Sequence, residues 1–97
     1  MSLTPVMRVA HYEGTATTTP VKIELQNIQG NGAAGFRIII KNLEVAPGNA
    51  LDISFNGGRT FFPIAAGAEL DVNAKFHYFF LRGVGGDADY NALVAQG

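Results

Sequence analysis

The chain has 97 residues, of which 47% are hydrophobic and 15% charged, with a formal net charge of −1 and no cysteine. That length suits one domain. Scattered Lys and Arg leave no electrostatic footprint for nucleic acid, and the lack of Cys excludes disulfides, thiolate zinc sites and thiol catalysis. Charge this sparse, against roughly 25% in typical soluble domains, leaves little to cover a free surface, so partners are expected to bury some apolar area.

Met1 to Ala10 holds one Arg and no continuous apolar core, unlike a signal peptide. The first run with strand character is Val6 to Tyr12, ending at Glu13-Gly14. A Thr-rich stretch, Thr15 to Thr19, then leads to Pro20. It reads either as a loop or as an extended arm that pairs with a neighbouring molecule, since Thr favours extended backbone and Pro20 biases Thr19 the same way. In the second run, Val21 to Gln26, Val21, Ile23 and Leu25 alternate with Lys22, Glu24 and Gln26, predicting a strand with one wet face. Gln29 to Gly35 is a Gly-rich loop.

Phe36 to Asn42 is the best candidate for a central strand. Phe36, Ile38 and Ile40 share one face, and Ile39 on the other face predicts partial burial there. This near-apolar run is far below membrane-spanning length. A soluble protein, made in the cytoplasm or built into a particle there, is therefore expected. After the Pro47-Gly48 turn comes a hairpin signal, Asn56-Gly57-Gly58 between alternating strands near Ala50–Phe55 and Thr60–Ile64. Gly67 closes a second turn, and Ala68 to Ala74 follows with Leu70 and Val72 inward. Lys75 to Arg82 carries aromatics on both faces, predicting burial on both sides, or one face in the core and one against a neighbour. Gly83 to Asp89 reads as a turn cluster, and Tyr90 to Val94 would close the sheet. About eight short strands predict an all-β, antiparallel two-sheet sandwich of jelly-roll type, a single domain over 1–97 with a short N-terminal arm.

Candidate chemistry is sparse. His11 and His77 both precede a Tyr and read as structural residues, because no carboxylate spacing supports a metal site. Asp87 and Asp89 lack the further oxygen ligands and bidentate Glu of a calcium loop. Glu69 and Asp71 share an exposed strand face, without the aromatic-lined cleft that paired glycosidase carboxylates occupy. Neither Gly-rich loop opens a helix or ends in the Lys-Ser/Thr of a P-loop. Core packing is the expected use of Phe61, Phe62, Phe76, Tyr78, Phe79 and Phe80. A carbohydrate-binding module is kept as an alternative, although no Trp is present. No catalytic residue, metal or cofactor is expected.

The segment from Leu51 to Ala95 resembles small virion proteins of tailed bacteriophages. The resemblance lies in Ile53-Ser54-Phe55-Asn56-Gly57-Gly58, Thr60-Phe61-Phe62-Pro63-Ile64, Ala66-Gly67, Phe79-Phe80-Leu81-Arg82-Gly83 and Tyr90-Asn91-Ala92-Leu93-Val94. It implies a capsid cement or decoration protein on the virion surface that bridges major capsid protein subunits, associates with itself (a trimer is the expected unit) and touches neither nucleic acid nor membrane. A tail, neck or baseplate component is the alternative within that resemblance. Expected contact residues are Leu3, Thr4 and Pro5 in the arm, Thr17, Thr18 and Thr19, Asn31, and Arg59 beside the hairpin turn.

Overall fold

The computed structural model describes residues 8–26 and 34–97. Leu3, Thr4, Pro5 and Asn31 lie outside the described residues. The strands are β1 (Arg8–Ala16), β2 (Val21–Glu24), β3 (Gly35–Asn42), β4 (Ala50–Ser54), β5 (Phe62–Ile64), β6 (Glu69–Phe76), β7 (Tyr78–Val84) and β8 (Ala88–Gln96). They form two four-stranded sheets, β1-β8-β3-β6 and β2-β7-β4-β5, hereafter the first and second sheet. No helix among the described residues is long and apolar enough to cross a membrane.

All strand pairs are antiparallel, and β1 with β8, β2 with β7, β3 with β6 and β4 with β5 are nested pairs. The chain is thus one long hairpin with its apex between β4 and β5, rolled so that its legs alternate between sheets. Pairing of β8 with β3 and of β7 with β4 closes the roll. This winding is the eight-stranded jelly roll, as the punctuation of the sequence predicts. β3 is central, as expected, and β8 is the other central strand of the first sheet.

Period-two patterning decides what lies inside. Ile38, Ile40, Ala88, Tyr90, Ala92 and Val94 face Leu51, Ile53, Ile64, Phe79 and Leu81 across the sandwich. Two buried amides tie the sheets together. Asn42, at the end of β3, donates from Nδ2 to the carbonyls of Asn49 and Ile64, both at 3.0 Å, and its Oδ1 accepts from Glu44 N at 3.0 Å. At the opposite end, Gln96 Nε2 donates to Gln26 O at 2.6 Å while Gln96 Oε1 accepts from the Tyr12 hydroxyl, which itself accepts from Gln26 N at 3.0 Å. Each amide satisfies backbone groups that the open ends of a sandwich would strand.

Several boundaries differ from the sequence reading. β1 runs through Glu13-Gly14 to Ala16, because its partner β8 stays in register to Ala88 and a ladder tolerates one glycine. Asp89 accordingly lies in a strand rather than a turn. The run Lys75 to Arg82 is two strands. The chain bends at His77, so Phe76 ends a strand of the first sheet and Phe79 belongs to the second, yet both reach one core. The hairpin loop spans 55–61, longer than the Asn-Gly-Gly turn alone. It is organised by side chains, with Gly57 and Gly58 at φ of 79° and 85°. Gly67 also has a positive φ, 77°, in the turn before β6.

Candidate interaction surface

The first sheet's outer face is built from three rows of four residues, fixed by strand register. Val9, Ala95, Arg37 and Asn73 form one row, His11, Leu93, Ile39 and Asp71 the next, and Glu13, Asn91, Lys41 and Glu69 the third. A sheet face turned to water ordinarily reads polar throughout. Here Val9, Ala95, Leu93 and Ile39 form a continuous apolar stripe across three strands, with Val9 68% and Leu93 46% exposed. Two shallow depressions of about 180 and 230 Å³ flank the stripe and share Ile39 and Leu93 in their walls.

Several polar groups around the stripe are bonded to one another. Arg37 donates from Nε and Nη2 to the two carboxylate oxygens of Asp71 at 2.9 and 2.6 Å. That bidentate bond holds the Asp71 carboxyl below its ordinary range and raises the Arg37 guanidinium further. His11 Nε2 pairs with Asn91 Oδ1 across β1 and β8. Thr15 Oγ1 donates to Asp89 Oδ1 at 2.5 Å. Such pairs place fixed polar groups beside an exposed apolar stripe, an arrangement that resembles the polar rim and apolar centre of a protein–protein contact.

The second sheet's outer face is different. Its aromatic rings already carry cations: Lys22 Nζ sits 4.7 Å from the Tyr78 ring centre, and the Arg82 guanidinium 3.9 Å from that of Phe61. Arg82 Nε also donates to Asp52 Oδ2 at 3.0 Å. Phe80 meets Tyr78 edge to face, with ring centres 5.9 Å apart. Of the six aromatics expected in the core, only Phe76 and Phe79 are there. The other four lie on this outer face, its covering loop or the β5 edge, where Phe62 is 58% exposed. The Tyr78 and Phe61 rings each have a face taken by a cation, which weighs against their use as a sugar-stacking platform.

Among the described residues no group of three or more His, Asp or Glu side chains is placed to hold a metal ion. His11 and His77 are both exposed, on β1 and at the bend. Glu69 and Asp71 do share the first sheet's outer face, but Asp71 is bonded to Arg37 rather than simply solvated. Thr17, Thr18 and Thr19 occupy an exposed turn between β1 and β2, anchored by Gly83 N donating to Thr17 O at 2.7 Å. Arg59 is exposed in the β4–β5 loop with Asn56, Gly57 and Gly58, at the other end of the sandwich. Thr17–Thr19 and Arg59 therefore form no single patch, and Gly67 sits at the threonine end. The stripe of Val9, Leu93 and Ile39 went unassigned as a surface in the sequence. Its only signal is the apolar residue at the wet position of each of three separate strands, visible once the pairing is known.

The fold has a solved counterpart. A chain of the Bacillus endospore appendages, described as forming a novel family of disulfide-linked pili, matches with a TM-score of 0.55 over 95% of this chain and 88% of that chain. The two are 16% identical, so the likeness is one of fold. No family model matches the chain, and no curated protein matches it.

Proposed function

We propose that the protein is a non-catalytic structural subunit, a rigid β-sandwich that docks onto other protein surfaces through the outer face of its first sheet. The observation that carries this reading is the Val9–Ala95–Leu93–Ile39 stripe, apolar on a face where sheet patterning calls for polar residues, with the Arg37 and Asp71 charges beside it paired to each other. Burial against a partner contributes about 2.5 kcal/mol per 100 Å² of apolar area before association costs. Many repeated copies turn that modest gain into reinforcement of a shell. In the setting implied by the resemblance of Leu51 to Ala95, the shell is a phage head. The partner is then the major capsid protein, and the role is cement.

A second reading, a subunit of a filament made of copies of itself, is favoured by the fold shared with the endospore appendage chain. That protein forms disulfide-linked pili; with no cysteine in its 97 residues, this chain would have to form its joints without disulfides. Sedimentation and electron microscopy separate the readings. Binding to assembled capsid shells, with saturation at a fixed ratio, supports cement, and filaments from the isolated protein support the second. A chain that stays monomeric at high concentration and binds neither shells nor itself overturns both.

A further inference from the structure

The β4–β5 loop carries chemistry that docking does not use. Asn56 and Gly57 are both exposed, Gly57 lies at φ 79°, and a Cβ built there would meet nothing within 4 Å. The Gly57 nitrogen donates no hydrogen bond to any described residue. An unshielded backbone nitrogen following an asparagine is the nucleophile of succinimide formation, and the electrophile is Asn56 Cγ.

Three hydrogen bonds hold that side-chain amide. Asn56 Oδ1 accepts from Ser54 Oγ at 2.8 Å and from Thr60 N at 3.1 Å, and Asn56 Nδ2 donates to Thr60 Oγ1 at 2.7 Å. The Ser54 hydroxyl is itself oriented, because its oxygen accepts from Gly58 N at 3.0 Å and Asn56 N at 3.4 Å, leaving its proton for Asn56. Ser54 is 1% exposed, so the anchor is a buried one. Turning the amide plane toward Gly57 N breaks these contacts together.

We infer that Asn56-Gly57 is a spontaneous deamidation site which the folded loop keeps shut, with Ser54 and Thr60 as the latch. When the latch opens, Gly57 N loses its proton to solvent base and bonds to Asn56 Cγ. The Cγ–Nδ2 bond then breaks, and the nitrogen leaves as ammonia after taking a proton from water. Water next adds to one of the two ring carbonyls, giving an aspartyl or an isoaspartyl linkage. The product adds one negative charge, taking the formal net charge from −1 to −2 (−1 − 1 = −2). It also removes the donor to Thr60 Oγ1. The isoaspartyl form lengthens the backbone by a methylene in the loop that carries Phe61, the ring on which Arg82 rests.

The test follows intact mass and isoaspartyl content with time in mildly alkaline buffer. Wild type unfolded in urea is expected to convert at least about tenfold faster than folded wild type, since several net hydrogen bonds resist the reaction in the fold. T60V removes the hydroxyl and keeps the backbone N–H; while folded, it is expected to convert about fivefold faster, the factor for one net hydrogen bond. T60S restores the wild-type rate. Equal rates for folded and unfolded wild type, or a folded T60V that ages no faster than wild type, overturn the inference. Should T60V not fold, the comparison of folded with unfolded wild type decides alone.

Discussion

Replacing Val9 and Leu93 by serine is expected to weaken docking about thirtyfold while leaving the fold in place. Full burial of a Val or Leu side chain contributes about 1.5–3 kcal/mol relative to exposure. Leu93 has 46% of its surface still exposed and Val9 68%, so each has about 1 kcal/mol left to gain from a partner. The double substitution therefore removes about 2 kcal/mol, near thirtyfold in affinity. The cost to folding is smaller: Val9 is on an edge strand, and Leu93 forfeits only its cross-strand contacts with Ile39 and His11, each pair being worth about 0.2–1 kcal/mol. Sedimentation velocity across a concentration series, with and without capsid shells, reads association, and urea unfolding of the same samples reads stability. Association unchanged in a folded V9S/L93S protein would refute the assignment of this face. So would weakening that merely tracks the fraction unfolded.

Other substitutions probe the frame. Asn42→Ala strands one buried and one partly buried carbonyl and a partly buried N–H, and urea unfolding should show a loss of about 3 kcal/mol. Gly83→Ala should be among the most damaging changes, because its Cβ would sit 2.1 Å from Gly86 O and 2.9 Å from Ala16 O, both backbone; a loss of at least about 3 kcal/mol, or failure to fold, is expected by circular dichroism. Arg82→Ala leaves the nearly buried Asp52 carboxylate unpaired, whereas Asp52→Asn in the same background relieves it, so a double-mutant cycle should show strong coupling. Two groups add a pH dependence to stability. Asp71 has its carboxyl held below the ordinary 3.8 by the Arg37 bond, so its contribution is present above that value and is lost as pH falls through the folded one. Tyr90 is raised above 10.0 by burial, so stability is full below that pH and is lost as pH rises toward and through the folded value. Tyrosine absorbance should show a late-ionising phenol that Tyr90→Phe removes, and Asp71→Asn should remove part of the acid dependence.

Much of this architecture is legible in the chain, and what is not has identifiable causes. Ile38 and Ile40 against Arg37 and Lys41, or Leu70 and Val72 against Glu69 and Asp71, show their inward faces by alternation alone. The bend at His77 is not legible, since Lys75 to Arg82 contains neither Gly nor Pro. Only the passage from one sheet to the other explains why Phe76 and Phe79, three apart, both point inward. The length of β8 is hidden for a related reason: Asp87 and Asp89 look like turn residues, yet Asp89 is held in the ladder by its bond to Thr15, which is remote in sequence. The interaction stripe lies furthest from local pattern. Val9, Ile39 and Leu93 each look like a single apolar residue on a wet face, and only the pairing of β1 with β8 and of β8 with β3 makes them neighbours.

The contrast between the two outer faces gives the docking assignment its direction. Both faces carry large apolar side chains, so composition alone would not choose between them. On the second sheet the protein covers two of its outer rings, leaving Phe62 exposed at the β5 edge: the β4–β5 loop lays Phe61 against Arg82, Lys22 crosses Tyr78, and Asp52 fixes the guanidinium in place. A partner approaching there would have to displace charged groups from contacts already worth about 0.5–1 kcal/mol apiece at exposed sites. On the first sheet the Arg37–Asp71 ion pair joins two neighbouring rows and is satisfied within the protein, and nothing in the described chain lies over Val9 or Leu93. Docking there displaces only water from apolar surface, which is where association gains most for least rearrangement. The roll that closes β8 against β3 therefore does two things at once, sealing the core with Ala92 and Val94 on one side and presenting Leu93 and Ala95 on the other.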